Sequence, residues 1–209
     1  MQGRFITLEG GEGVGKSTQA RRIKDELAAR GIDVVLVREP GGTPLAEEIR
    51  RLLKDYDTDA PNPRAELMLF LAARAQLVES VIKPALAAGK WVVSDRFSDS
   101  TIAYQGYGRG LDIDTVRELD AFARGGLAPD ITFLFELDPE TALARRTGRE
   151  IATATSADRF ERAGDDFHAR LAKGFSDAAE ADPVRIKRID ASGSPDEVWQ
   201  KISAALQAL

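Results

Sequence analysis

The segment Gly10-Gly11-Glu12-Gly13-Val14-Gly15-Lys16-Ser17 lies between the apolar Phe5-Ile6-Thr7-Leu8 and a stretch with Ala20, Ile23 and Leu27 at helical spacing. It fits the spacing G-x-x-x-x-G-K-[ST]. A strand that feeds a helix through such a turn opens an α/β unit. The glycines let the backbone curl so that several N–H groups point at one anion, and the helix N-terminus adds partial positive charge. Gly10 through Ser17, with Thr18, are therefore expected to hold the phosphates of a nucleoside triphosphate. Lys16 would reach the β- and γ-phosphates, and the Ser17 hydroxyl would bind Mg²⁺. The motif says little about a phosphate acceptor.

Helical and strand patterns alternate along the rest of the chain, which predicts an α/β fold with a mostly parallel sheet. Strands are expected at 33–37, 91–94, 131–135 and 184–189. Helices are expected at 44–53, 64–88 (with Pro84 as a kink or restart), 114–124, 139–146, 160–181 and 195–209. The nearly all-apolar run 33–37 reads as a strand buried on both faces. Residues 147–157 have no apolar periodicity and read as a mobile loop or lid. With no repeat and no long linker, residues 1–209 read as one domain.

The net charge of -5 argues against a general nucleic-acid binder. The absence of Cys rules out disulfides and thiolate metal sites and fits a cytoplasmic location. No run approaches the ~18 apolar residues of a membrane span, and the N-terminus has no secretory pattern.

Asp95 and Arg96 follow the apolar strand Trp91-Val92-Val93-Ser94. An acid there is placed to hold Mg²⁺ or its water shell. Arg96 is placed as a bidentate phosphate clamp, a task its planar fork suits better than a lysine. Two function classes compete, a phosphotransferase and a nucleotide-driven switch. The chain lacks the Asn-Lys-x-Asp segment of guanine-reading switches. It does carry Arg145, Arg146, Arg149, Arg159 and Arg162 around the expected lid, as a kinase requires.

Several segments in order resemble the thymidylate kinase family of the bacterial type. They are Leu8-Glu9-Gly10, Arg38-Glu39-Pro40-Gly41-Gly42-Thr43, Leu69-Phe70-Leu71-Ala72-Ala73-Arg74, Asp95-Arg96-Phe97, Ala103-Tyr104-Gln105-Gly106 and, as the lid's end, Asp158-Arg159-Phe160-Glu161. The resemblance implies a P-loop NTPase fold, a three-layer α/β/α domain with a five-stranded parallel sheet and a short lid at about 147–158. It implies transfer of the ATP γ-phosphate to dTMP with Mg²⁺, a homodimer, and neither nucleic acid nor membrane as partner. The alternative within kinases is another deoxynucleoside or nucleoside monophosphate.

The substrate contacts follow from residue type and spacing on that resemblance. Phe70 and Arg74 share a helix face. Phe70 would stack on thymine, and Arg74 would donate to a thymine carbonyl or the phosphate region. Arg38, Glu39 and Pro40 end a strand beside the acceptor. Ser100, Thr101 and Gln105 would line the base pocket, and Tyr104 would crowd out a 2′-hydroxyl. Glu12 would accept from the sugar 3′-hydroxyl. Asp190-Ala191-Ser192 would line the adenine site.

The family occurs in two arrangements, with the extra catalytic Arg in the phosphate loop or in the lid. Gly13 stands where the loop Arg would be, so the lid must supply the charge. Arg149 and Arg146 are the first choices, with Arg159 at the lid's far end. Arg149→Ala is expected to lower kcat by ~10²-fold. Turnover near wild type in a coupled ADP assay would overturn that assignment.

Overall fold

The computed structural model describes residues 3–54, 60–153, 159–160 and 162–207. Its five strands are β1 (Phe5–Gly10), β2 (Val34–Arg38), β3 (Trp91–Asp95), β4 (Ile131–Glu136) and β5 (Ile186–Asp190). They form one parallel sheet in the order β2-β3-β1-β4-β5. The chain therefore leaves β1 to one side and later returns to its other side. In such sheets ligands bind beyond the carboxyl ends of the strands at this switch point. The register sets Leu8 and Arg38 on either side of Asp95, and Gly10 beside Phe135.

Both faces are covered, which gives three layers. One face packs Ile6, Leu8 and Phe133 against Ile23 and Leu27 of α1 (Lys16–Ala29) and Val198 and Ile202 of α9 (Pro195–Leu206). The other packs Phe5 and Val92 against Leu77, Val78 and Ile82. Burying each such side chain contributes ~1.5–3 kcal/mol. No helix among the described residues is long and apolar enough to cross a membrane.

Several sequence expectations change. The run 33–37 is the edge strand β2, so Val34, Val35 and Leu36 are only half-buried. An apolar run reports that neighbours exist without saying on how many sides. The long helix over 64–88 is α3 (Pro63–Leu77), a π-helical turn (Val78–Ile82) and α4 (Lys83–Ala87). Pro84 lies in the first turn of α4, where its missing N–H is harmless. Asn62 caps α3, its side chain accepting from the N–H groups of Arg64 and Ala65.

Beyond β3, α5 (Ser98–Thr101) runs into a second π-helical stretch, Ile102–Gly108, and α6 spans Ile113–Ala123. α7 spans Pro139–Thr153, so residues 147–153 are helical and not a loop. Leu143, Ala144, Thr147 and Gly148 are exposed. The sequence Arg145-Arg146-Thr147-Gly148-Arg149-Glu150 offers no apolar stripe, which is why the segment reads as irregular. The remainder of the expected lid, residues 154–158, lies outside the described residues. α8 (Asp165–Ala181) begins at the Gly164 cap, later than expected from Phe160.

Candidate active site

Gly10 and Gly15 shape the loop after β1. Gly10 has φ 129°, and a Cβ there would lie 2.5 Å from the Phe135 carbonyl oxygen of β4. Gly15 caps α1 at φ 94°, in the left-handed region that glycine enters without strain. Lys16 folds back under the loop, where its Nζ donates to the carbonyls of Gly10 (3.2 Å) and Gly11. Burial, then the nearby Arg96, bring the Lys16 ammonium down to about 8. Ser17 donates from its hydroxyl to Asp95 Oδ2 at 2.6 Å. The two residues expected at the metal site thus meet across the ends of β1 and β3.

Arg96 stands at the centre. Its Nη1 donates to the Gly10 carbonyl and to Ser100 Oγ, each at 2.9 Å. Its Nη2 reaches Glu12 at 2.6 Å and Tyr104 Oη at 3.1 Å. The backbone of Arg96 is left-handed at φ 77°, a conformation that costs an L-residue ~1–3 kcal/mol. Neighbours hold it there. Its N–H donates to the Leu8 carbonyl, its carbonyl accepts from Ser94 Oγ, and the next N–H, of Phe97, donates to Glu9 Oε1 at 2.8 Å. Burial works against ionisation of Glu12, but Arg96, Lys16 and Lys54 hold it well below the usual carboxylate range.

Sequence reasoning misses Glu9 as a functional residue. It is fully buried beneath the site and also accepts from the Ser100 hydroxyl. Burial first, then the Asp99 charge, push it up to about 8 from 4.5, against the opposing pull of Ser100, Arg96 and the Phe97 amide. Asp99 is itself held in a bidentate pair by Arg185, at 2.8 and 2.9 Å. Because the folded Glu9 binds its proton more tightly than the unfolded one, its contribution to stability is present at low pH. That contribution falls as pH rises from about 4.5 through about 8. Glu9→Gln should remove this slope, so urea midpoints of variant and wild type should diverge between pH 5 and pH 8.5 in the variant's favour. Parallel midpoints would overturn the assignment.

At the acceptor end, Phe70 is half-buried on α3, edge-on to Phe160 at 5.8 Å. Arg74, one turn on, is almost wholly buried. It donates to Glu39, Thr101 (2.8 Å) and Asp120 (2.5 Å), which among the described residues leaves one N–H of the guanidinium uncommitted. Burial opposes its charge, but Glu39 and Asp120 more than compensate and raise its pKa. Asp120 is a second residue that the sequence does not single out. Pro40, after a cis peptide, turns the chain, and its carbonyl accepts from both Arg38 (3.2 Å) and Arg50 (2.8 Å). Arg38, expected at the acceptor phosphate, pairs with Glu47 at 2.9 Å. Gln105 donates to Glu66 at 2.8 Å.

The lid cations divide. The side chains of Arg146 and Arg149 lie outside the described residues. Arg145 donates to the carbonyls of Ala191 (2.8 Å), Ser192 (3.1 Å) and Gly193 (3.2 Å), fixing the β5–α9 loop expected to line the adenine site. Arg159, expected in the transfer step, pairs with Glu66 at 2.8 Å, donates to the Leu53 carbonyl and lies over the Phe160 ring. These contacts tie it to Glu66 at the start of α3 and to the Leu53 carbonyl.

A family profile described as thymidylate kinase matches residues 8–202. The chain is 50% identical to a thymidylate kinase of Rhizorhabdus wittichii over 209 residues, covering 100% of this chain and 99% of that one. It is 48% identical to one of Chlorobaculum parvum, covering 98% and 96%. The crystal structure of thymidylate kinase from Ehrlichia chaffeensis superposes with a TM-score of 0.79 at 34% identity, covering 99% of this chain and all of that one. The phosphate loop, the parallel sheet and the full-length match agree, and the chain belongs to the thymidylate kinase family.

Proposed function

We propose that this chain transfers the γ-phosphate of ATP to dTMP, giving dTDP and ADP, as a single kinase domain working in the cytoplasm. The observation that carries this reading is Arg96. It joins the donor loop, through Gly10 and Glu12, to the acceptor residues Ser100 and Tyr104.

The acceptor phosphate has a second pKa near ~6 and is already largely dianionic at neutral pH. No general base is needed. The work is to bring two anions together, by positioning and charge neutralisation. Lys16 and the loop N–H groups hold the donor phosphates. Ser17 and Asp95 offer hard oxygen donors 2.6 Å apart and fit a cation that takes few protein ligands. They would hold Mg²⁺, which neutralises charge on the β- and γ-phosphates when bound.

Arg96 turns to the acceptor phosphate when substrate arrives, and Glu12, released from part of that pair, accepts from the 3′-hydroxyl. Phe70 stacks on the base, Tyr104 packs against the sugar, and the remaining N–H of Arg74 meets a thymine carbonyl. Arg149 or Arg146 supplies the positive charge that Gly13 leaves to the lid. Arg159, at the lid's far end, pairs with Glu66 and acts in transfer only if that pair opens.

An ADP-release assay with ATP and dTMP, dUMP, dCMP, dGMP or AMP tests the reading. Preference for any acceptor but dTMP would overturn it.

The chain also acts as a homodimer in this reading. Its neighbouring helices α2 (Pro44–Lys54), α3 and α6 expose Leu45, Leu52, Met68 and, at 88% exposure, Phe122. Faces of this kind mark protein contacts. Sedimentation as a monomer would exclude it.

A further inference from the structure

The substrate reading gives Gln105 a place in the base pocket but does not explain which end of its amide faces the base. We propose that Glu66 is a specificity-determining positioning residue that fixes this orientation, and so selects bases bearing an N–H at ring position 3. The inference rests on the dTMP reading above.

Glu66 sits in the first turn of α3, four residues before Phe70 and eight before Arg74, on the stripe that faces the base. Its side chain is 1% exposed. Arg109 and Arg159 pair with it at 3.0 and 2.8 Å. A carboxylate so paired only accepts hydrogen bonds. The third partner, Gln105, therefore has to turn its NH₂ toward Glu66, and Nε2 donates to Oε1 at 2.8 Å.

The amide is planar, so committing the NH₂ leaves the carbonyl oxygen Oε1 on the opposite branch. That oxygen accepts from none of the described residues. An acceptor suits the N3–H of thymine or uracil. It repels the bare N3 of cytosine, which is itself an acceptor.

A carboxylate serving only as an ionic staple would need the two guanidiniums and nothing more. The cations also hold the wall of the pocket, because Arg109 lies over the rings of Phe160 (5.4 Å) and Phe167 (4.9 Å), and Phe160 touches both Phe70 and Tyr104. Glu66 thus joins the aromatic wall to the polar reader.

The test compares dTMP with 5-methyl-dCMP, which keeps the methyl group and differs only at positions 3 and 4. In Glu66→Gln the neighbour can donate as well as accept, so Gln105 is free to flip. The ratio of kcat/KM for dTMP over 5-methyl-dCMP should fall about tenfold, the scale of one hydrogen bond that is made or left unmade. The fall should come mainly through KM, and kcat for dTMP should change little. Gln105→Met, with Glu66 intact, should lower the same ratio. In the double variant the two effects should not add.

An unchanged ratio in a folded Glu66→Gln protein overturns the proposal. So does an unchanged ratio in Gln105→Met, which stands as the test should the Glu66 variant not fold. A role in folding alone would lower the melting temperature and leave the ratio intact. Wild-type protein that ignores dTMP would instead sink the functional reading, and the two failures are separable in one assay.

Discussion

Lys16→Ala is expected to lower kcat about 10³-fold, within the range for losing a preorganised charge at the transferred phosphoryl group. The lysine is almost fully buried and anchored on two loop carbonyls, so its ammonium is in place before ATP arrives. The substitution would leave the Gly11 carbonyl without this donor, the Gly10 carbonyl with Arg96 alone, and the γ-phosphate without its cation. Arg96 shares the Gly10 carbonyl but commits its other donors to Glu12, Ser100 and Tyr104. The pH profile carries a further signature. The free enzyme holds Lys16 near 8, so kcat/KM for ATP should fall as pH rises through about 8, where the ammonium loses its proton. In the alanine variant that limb should vanish along with most of the activity. Turnover within tenfold of wild type, or a limb that persists in the variant, would remove Lys16 from the mechanism.

Arg96→Lys is expected to lower kcat about 10²- to 10³-fold although the charge is kept. The guanidinium serves Gly10, Glu12, Ser100 and Tyr104 from its two terminal nitrogens. One ammonium has three donors and no planar fork, so it cannot serve these and a phosphate together. Lysine would keep the left-handed backbone strain and lose the contacts that justify it. Steady-state kinetics with saturating ATP and varied dTMP would check this, and a kcat within threefold of wild type would show that charge alone suffices.

The local part of this site is legible in the sequence. Lys16 and Ser17 stand in a motif whose meaning depends on eight consecutive residues, and Asp95-Arg96 follows an obvious strand end. What sequence does not carry is the set of partners that arrive from far along the chain. Glu9 meets Ser100, Arg74 meets Asp120, and Asp99 meets Arg185, each across tens of residues. Read alone, Glu66 is an acid in the first turn of a helix, where the dipole explains it, and Asp120 is a polar position on an amphipathic helix. Only the packing of α3, α6 and the π-helical stretch buries them. The same holds for Arg159. Its charge reads as catalytic in sequence, whereas in the structure it pairs with Glu66. The length of α7 is hidden for the opposite reason, because its second half carries no apolar stripe to detect.

The Arg96–Glu12 pair has an electrical consequence. Around the phosphate loop, the cations Lys16 and Arg96 face the carboxylates Glu12 and Asp95, and Glu9 beneath them holds its proton near neutrality. Lys54 also acts on Glu12, so three positive groups face two negative ones. The local excess is a single positive charge in a chain whose net charge is -5, so long-range attraction of anions contributes little. A phosphate that engages Arg96 must displace the Glu12 carboxylate before it gains that cation for itself.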